Sequence, residues 1–190
     1  MDIIDAIKQR RSIREYKDIS IPKKQINEIL NCGRLAPSAK NRQPWRFVVI
    51  TNKKKINGIA DLMIGNHTIK DEDYDIEVLK TFNSALPTAN VIKQAPVLIL
   101  IFQVIDDNWI TGDNLSIGAC IENMCLSACG LGLGSLWIRD TVYAQDKITK
   151  YVKWKDANFK LNSALCLGVP NENPKQRYRN KLKDITTWIN

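Results

Sequence analysis

The chain of 190 residues has little of the chemistry that metal and nucleophilic sites use, because it contains one histidine, His67, and five cysteines without a CxxC pair. Multi-histidine metal sites and Ser-His-Asp catalysis would both depend on that histidine. The odd cysteine count argues against a disulfide framework or a zinc ribbon. We therefore expect no metal, reduced and mostly buried thiols, a surface or loop position for His67, and a cytoplasmic location.

The sequence also has no Walker A lysine motif, no internal repeat and no signal-peptide pattern. Only residues 116–138 form an apolar stretch long enough to suggest a membrane span. That stretch contains Glu122 and Asn123, and glycines interrupt its end. It is therefore expected to form a buried core helix followed by a glycine-rich turn, with no membrane association.

The net charge is +8, and it is distributed unevenly along the chain. Residues 1–55 carry 14 basic and 5 acidic groups, residues 56–140 carry 4 and 11, and residues 141–190 carry 10 and 4. Two basic ends therefore flank an acidic middle. This excess favours an anionic partner, namely nucleic acid, a phosphorylated ligand or an anionic surface, although a solvated basic face would have the same composition.

Helical and strand patterns alternate along the chain, and the strands are few. This predicts one α/β or α+β domain over residues 1–190, with a small sheet between helices. The expected helices begin near residues 3, 22, 56, 112 and 148, and the expected strands cover residues 47–50, 96–102, 135–138 and 164–169. Residues 64–92, with an acidic cluster at 71–73, are expected to be a mobile helical or loop insertion. Residues 171–183 are expected to form an extended arm that ends in a strand at 185–189 and docks on this chain or on a partner.

Three arginines and a hydroxyl group lie within five residues near the N-terminus: Arg10, Arg11, Ser12 and Arg14. Arginine forks match phosphate oxygens in pairs, which lysine cannot do. Because this cluster ends a predicted helix, the helix dipole opposes anion binding there, and the side chains would have to supply the attraction. The alternative is a cationic helix end that only offsets the dipole.

Two further segments carry polar groups suited to a ligand. A loop fixed by Pro37 and Pro44 presents Ser38, Asn41 and Gln43, whose donors and acceptors suit a heteroaromatic ring, although the loop could equally be a plain connection. Near the C-terminus, alternate residues Arg177 and Arg179 would face one anion if the arm is extended, or they could belong to a solvated tail.

The glycine-rich run at residues 130–138 looks superficially like a dinucleotide fingerprint. That fingerprint follows a strand and opens a helix, whereas these glycines follow a helix and open a strand. We therefore interpret them as a helix C-cap and a close backbone approach.

Together these segments resemble the nitroreductase family of flavin enzymes. The resemblance rests on their order: RRSIREY lies near the N-terminus, APSAKNRQPWRFVVI follows about 25 residues later, GLGLGSLWI comes after a long helix, and an Arg-x-Arg arm precedes a C-terminal strand. It extends over nearly the whole chain except residues 64–92. It implies a nitroreductase-like α+β fold with a small, mostly antiparallel sheet, and a homodimer with an FMN in each of two interface sites.

The resemblance also implies roles for individual residues. The phosphate and ribityl end of FMN would be held by Arg10, Arg11, Ser12, Arg14, Arg177 and Arg179. The ring would be lined from the other subunit by Pro37, Ser38, Ala39, Asn41 and Gln43. Backbone of Trp137, Ile138 and Arg139 would pass the flavin N5 edge. Residues 64–92 would form part of a lid, and the arm at 171–190 would extend onto the partner subunit.

Two departures from the family pattern concern the ring end of this expected site. Many relatives have glycines where Ala39 and Lys40 stand, and some have a glutamate near the position of Arg139. A basic residue there could favour an acidic substrate or bind the flavin more tightly.

The implied function is hydride transfer from NADH or NADPH, through flavin N5, to a nitroaromatic, a quinone or a similar small conjugated acceptor. The flavin carries this chemistry, so no catalytic side chain is expected. One alternative is another flavin reaction, such as dehalogenation, flavin destruction or azoline oxidation. A second is a basic nucleic-acid-binding protein, against which the acidic middle and the absence of basic-aromatic stripes both count.

Overall fold

A computed structural model of the chain describes residues 1–65 and 76–189, with side chains described from residue 85 onward in the second range. The position of His67 and the acidic cluster at 71–73 therefore lie outside the described residues. Within the described ranges, no helix is long and apolar enough to cross a bilayer.

In the part of the chain that the structure describes, four antiparallel strands form the central sheet: β1 (Trp45–Ile50), β2 (Val97–Val104), β3 (Gly134–Ile138) and β4 (Phe159–Gly168). Their spatial order is β1-β2-β4-β3, so β2 and β4 are central and the other two are edge strands. The small antiparallel sheet expected from the sequence is thus confirmed. Strand β4 begins five residues before the predicted start because its polar first half continues the pairing with β2.

Among the described residues, six helices surround the sheet: α1 (Ile3–Gln9), α2 (Lys23–Arg34), α3 (Lys53–Ile64), α4 (Ile76–Gln94), α5 (Ile110–Gly130) and α6 (Gln145–Tyr151). Helices α2 and α5 bury apolar residues such as Ile29 and Ile121 against one face of the sheet. Helices α3, α4 and α6 pack residues such as Ile59 and Ile148 against the other face. The result is the α+β architecture that the sequence predicts.

Two expectations from the sequence require correction. Residues 185–189 form no strand. They follow a short 3-10 turn, Leu182–Asp184, and are irregular, with mostly exposed side chains. A strand needs a partner edge, and this segment has none among the described residues of the chain. The mobility expected of residues 64–92 is also wrong for their last part, because Ala85, Ala89 and Ile92 on α4 are buried in the core.

The five cysteines are free thiols, and Cys120, Cys125 and Cys166 are buried. Burial raises the pKa of Cys120 to about 12 and that of Cys125 to about 11, because the apolar surroundings disfavour the thiolate. Since the thiolate is the reactive form, these three thiols should resist a thiol reagent such as Ellman's reagent at pH 8 until the protein unfolds. Mass mapping of the labelled cysteines tests this expectation, and native labelling of Cys120 or Cys166 would contradict the packing of α5 and β4.

Candidate functional site

The two basic ends of the chain meet beside strand β3. After α1, the chain runs along the sheet: the backbone N–H of Ile13 donates to the Ser135 carbonyl at 3.0 Å, and that of Lys17 donates to the Val169 carbonyl at 2.9 Å. Gly134 permits this approach, because a Cβ there would lie 2.7 Å from the Ile13 side chain. The segment that carries the N-terminal arginines is therefore fixed to the sheet by backbone contacts.

The start of the C-terminal arm is bonded to the same segment. The Glu172 carboxylate accepts from the backbone N–H groups of Arg14 and, at 3.2 Å, Glu15, and the Asn171 N–H donates to the Glu15 carbonyl at 2.9 Å. These bonds hold the arm where its basic residues can face the N-terminal arginines.

A cavity of about 340 Å³ lies between these two segments. It is lined by Arg10, Arg11, Ser12, Arg14, Pro174, Lys175, Gln176, Arg177 and Arg179. Six of these nine residues are cationic and none is acidic, which makes the cavity electrostatically suited to an anion of phosphate type. All six residues that the sequence assigned to the phosphate end of a cofactor lie together here.

The first two arginines are partly bound to other protein groups. Arg10 Nε lies 3.3 Å from Glu122 Oε1, and Arg11 Nη1 donates to the carbonyl of Lys8 at 2.7 Å. The contact of Arg11 with the last turn of α1 matches the alternative interpretation, in which a cationic helix end offsets the dipole. Arg11 also reaches the arm, because its Nη2 donates to Gln176 Oε1 at 3.3 Å.

The other arginines of the cavity are Arg14, Arg177 and Arg179, and they form no ion pair with a carboxylate among the described residues. Arg14 Nη1 donates to the Ser12 carbonyl at 3.2 Å, and Arg179 Nη1 donates to the carbonyls of Arg177 and Tyr178. All three guanidinium groups are exposed. They can therefore turn toward an anion without breaking an ion pair.

The proline-bounded loop lies elsewhere, at the start of α5, and an arginine that the sequence did not single out fixes it there. Arg42 Nε donates to Asp113 Oδ1 at 3.1 Å, and its Nη2 donates to Asp106 Oδ2 at 2.8 Å. The Asp113 carboxylate is fully buried, and these hydrogen bonds raise the pKa of Arg42 further above its ordinary value. Arg42 also stacks over the ring of Trp109, at 4.9 Å from its centroid.

The loop backbone is strained. Lys40, Asn41 and Gln43 have φ angles of +49°, +55° and +48°, which residues other than glycine adopt rarely. Ser38 Oγ accepts from the Gln43 N–H at 3.0 Å, and Ser116 Oγ lies 3.3 Å from the Ala39 nitrogen that donates to it. Such strain persists only where surrounding contacts impose it, and it is concentrated at ligand sites.

The end of strand β3 presents Trp137 and Arg139 outward, whereas Ile138 is buried. Trp137 Nε1 donates to Ser163 Oγ at 3.1 Å, and Arg139 Nη1 donates to the Asn162 carbonyl at 2.7 Å. The structure does not bring this strand end or the proline-bounded loop into the arginine cavity of the same chain. Their assignment to the flavin ring stays a prediction.

The sequence profile of the nitroreductase family matches residues 7–169. The chain belongs to the nitroreductase family. A BluB-like flavoprotein from Clostridium difficile 630 has the same fold, with a TM-score of 0.88 and 28% identity over the whole of both chains. A nitroreductase with bound FMN from Bacteroides fragilis superimposes with a TM-score of 0.80 and 25% identity, also over the whole of both chains.

A nitroreductase-family relative in Methanothermobacter thermautotrophicus is provisionally named NADH dehydrogenase/NAD(P)H nitroreductase. It is 30% identical over 142 residues, which cover 72% of this chain and 60% of that relative. The matched part of this chain thus spans less than two thirds of that protein. These comparisons confirm the family and the fold class expected from the sequence.

Proposed function

We propose that the protein is an FMN-dependent oxidoreductase that takes electrons from NADH or NADPH and passes them to a small conjugated acceptor such as a nitroaromatic or a quinone. The observation that carries the proposal is the cationic cavity, to which both ends of the chain contribute. Family membership, FMN in a structural relative and the nicotinamide nucleotides in the name of a sequence relative support it.

The residues of the cavity fit the phosphate end of FMN. A dianionic phosphate would accept hydrogen bonds from Arg14, Arg177 and Arg179, while Arg10 and Arg11 add positive charge nearby. When bound, FMN supplies the hydride chemistry, and the chain supplies position and electrostatics. In this proposal the Trp137–Arg139 backbone and the strained loop at residues 37–43 line the ring end.

The proposal includes a homodimer, in which the loop of one subunit lines the ring held by the other. Apolar side chains that a lone chain leaves in water support this assembly. On α1, Ile3, Ile4 and Ile7 are exposed, and on the arm Trp188 is 84% exposed. Exposed apolar surface of this kind marks contact surfaces, and a symmetric dimer is the commonest assembly. Reduced cysteines fit a cytoplasmic location.

The experiment that tests this function is anaerobic titration of the FMN-loaded protein with NADH and with NADPH. The expected result is bleaching of the flavin absorbance near 450 nm by at least one nucleotide, and recovery when a quinone or a nitroaromatic is added. A flavin that neither nucleotide reduces would contradict the proposal. A flavin that is reduced but not reoxidised by these acceptors would favour a different flavin reaction on the same fold.

The phosphate assignment predicts that Arg14→Ala weakens FMN binding by about 1.5–3 kcal/mol, the range for one hydrogen bond to a charged group. Isothermal titration calorimetry on the apoprotein measures this change. The matched control is Arg34→Ala, which removes the same charge from the end of α2, where Arg34 bonds Asn31. Equal affinities for the two variants would refute a direct role of Arg14.

A further inference from the structure

A cluster of polar side chains is buried within the otherwise apolar sheet. Strand β2 reads VLILIFQV, and its glutamine, Gln103, is only 1% exposed. On the neighbouring strand β4, Ser163 is fully buried. Buried amides and hydroxyls cost free energy unless they are hydrogen-bonded, and apolar residues would fill such positions without that requirement. The cluster therefore calls for an explanation beyond the packing of the core.

Asn162 lies at the centre of this cluster, in a β-bulge. The register between β2 and β4 shifts by one residue between Ile101 and Phe102, which leaves Asn162 without an opposite residue. A bulge changes the direction of local side chains and backbone carbonyls, and bulges are frequent beside functional sites.

The bulge is held by side-chain bonds to two neighbouring elements and to the next residue of β4. Asn162 Nδ2 donates to Gln103 Oε1 on β2 and, at 3.1 Å, to Asn114 Oδ1 on α5. Asn162 Oδ1 accepts from Ser163 Oγ at 2.7 Å. Both polar ends of the Asn162 side chain are therefore bonded, and its position is fixed.

Two outward-facing side chains are bonded to this cluster. Trp137, which is 44% exposed, donates from Nε1 to Ser163 Oγ, the same hydroxyl that donates to Asn162. Arg139 donates to the Asn162 carbonyl at 2.7 Å. The half-buried Asn162 thus determines where an aromatic surface and a cation lie.

We propose that Asn162 is a positioning residue for the ring end of the site: it fixes the Trp137 indole through Ser163 and the Arg139 guanidinium through its own carbonyl, and so shapes the surface that the acceptor meets. This inference rests on the proposed function, because it needs residues 137–139 to lie beside the flavin. Affinity for the FMN phosphate should depend little on Asn162, since the arginine cavity supplies it.

The test compares Asn162→Ala with Ser163→Ala, which removes the hydroxyl that links Asn162 to Trp137, and with Asn158→Ala. Asn158 is an exposed asparagine just before β4 whose side chain makes no hydrogen bond among the described residues. Each protein is labelled with 5-fluorotryptophan, and the ¹⁹F resonance of Trp137 is identified by its loss in Trp137→Phe. This readout needs neither flavin nor activity.

The expected result is that the Trp137 resonance moves in both Asn162→Ala and Ser163→Ala but not in Asn158→Ala. In FMN-loaded Asn162→Ala we expect the acceptor KM to rise by about fivefold or more, with kcat and the FMN dissociation constant changed by less than about threefold. Ser163→Ala, the milder variant, keeps the comparison valid if Asn162→Ala folds poorly.

An unmoved Trp137 resonance, or an acceptor KM equal to that of Asn158→Ala, would overturn the positioning role. A Trp137 resonance that FMN saturation leaves unchanged would also overturn it, because Trp137 would then not face the ring. These outcomes differ from failure of the proposed function, in which the wild-type protein would not bind FMN at all.

Discussion

Deletion of residues 174–190 is expected to produce a protein that no longer retains FMN and that elutes as a monomer. The deletion removes Lys175, Arg177 and Arg179, and with them one wall of the cationic cavity. It keeps Glu172, whose bonds to the N-terminal segment lie before the cut. Two lost charge-assisted hydrogen bonds, at about 1.5–3 kcal/mol each, would weaken FMN binding by at least about 100-fold.

The loss of FMN and the loss of the dimer can be separated with a second variant. Arg177→Ala combined with Arg179→Ala removes the phosphate contacts but keeps the apolar end of the arm, including Trp188. We expect this double variant to remain a dimer that binds FMN weakly. Size-exclusion chromatography with light scattering and flavin absorbance measures both properties. A truncated protein that is still dimeric and fully loaded with FMN would show that the arm is dispensable.

Replacement of Arg42 by alanine is expected to have the largest effect on stability. The substitution leaves the Asp113 carboxylate fully buried without its cationic partner. A buried charge stranded in this way costs several kcal/mol. For a chain of this size we expect the Tm to fall by about 10 °C in differential scanning calorimetry. Because Arg42 also fixes the strained loop, FMN affinity should fall as well.

A double variant tests the cause of that instability. Adding Asp113→Asn to Arg42→Ala removes the buried charge while it keeps the shape of the side chain, so the double variant should regain much of the lost Tm. Arg42→Lys keeps a positive charge but cannot form the fork to Asp113 and Asp106. Its Tm should therefore lie between that of Arg42→Ala and that of the wild type. A Tm for Arg42→Ala within about 2 °C of the wild type would contradict the assigned role.

Much of the fold could be predicted from local patterns. Continuous apolar runs located α5 and β2, and the helix expected from residue 3 is α1, whose N-cap Asp2 accepts from the Asp5 N–H. The pattern at residues 185–189 also favours a strand, but a strand forms only with a partner edge, and the described chain offers none to this segment. Local propensity could not reveal that requirement.

The candidate site was predictable in its parts but not in its assembly. The arginines at 10–14 and 177–179 stand out by composition, whereas their meeting in one cavity depends on how the arm follows β4. The fork from Arg42 to Asp113 joins residues 71 positions apart, and its only local signal is an aspartate in the apolar pattern of α5. The bulge at Asn162 could not be predicted, because a register shift arises from the pairing of two strands.

The most direct test of the central claim is the visible absorption spectrum of the purified protein, combined with mass spectrometry of the small molecule that denaturation releases. The account predicts a flavin spectrum, with bands near 370 and 450 nm, and FMN as the released species in about one copy per chain. A colourless protein that takes up no added FMN would contradict it, and the cationic cavity would then have to serve a different anion.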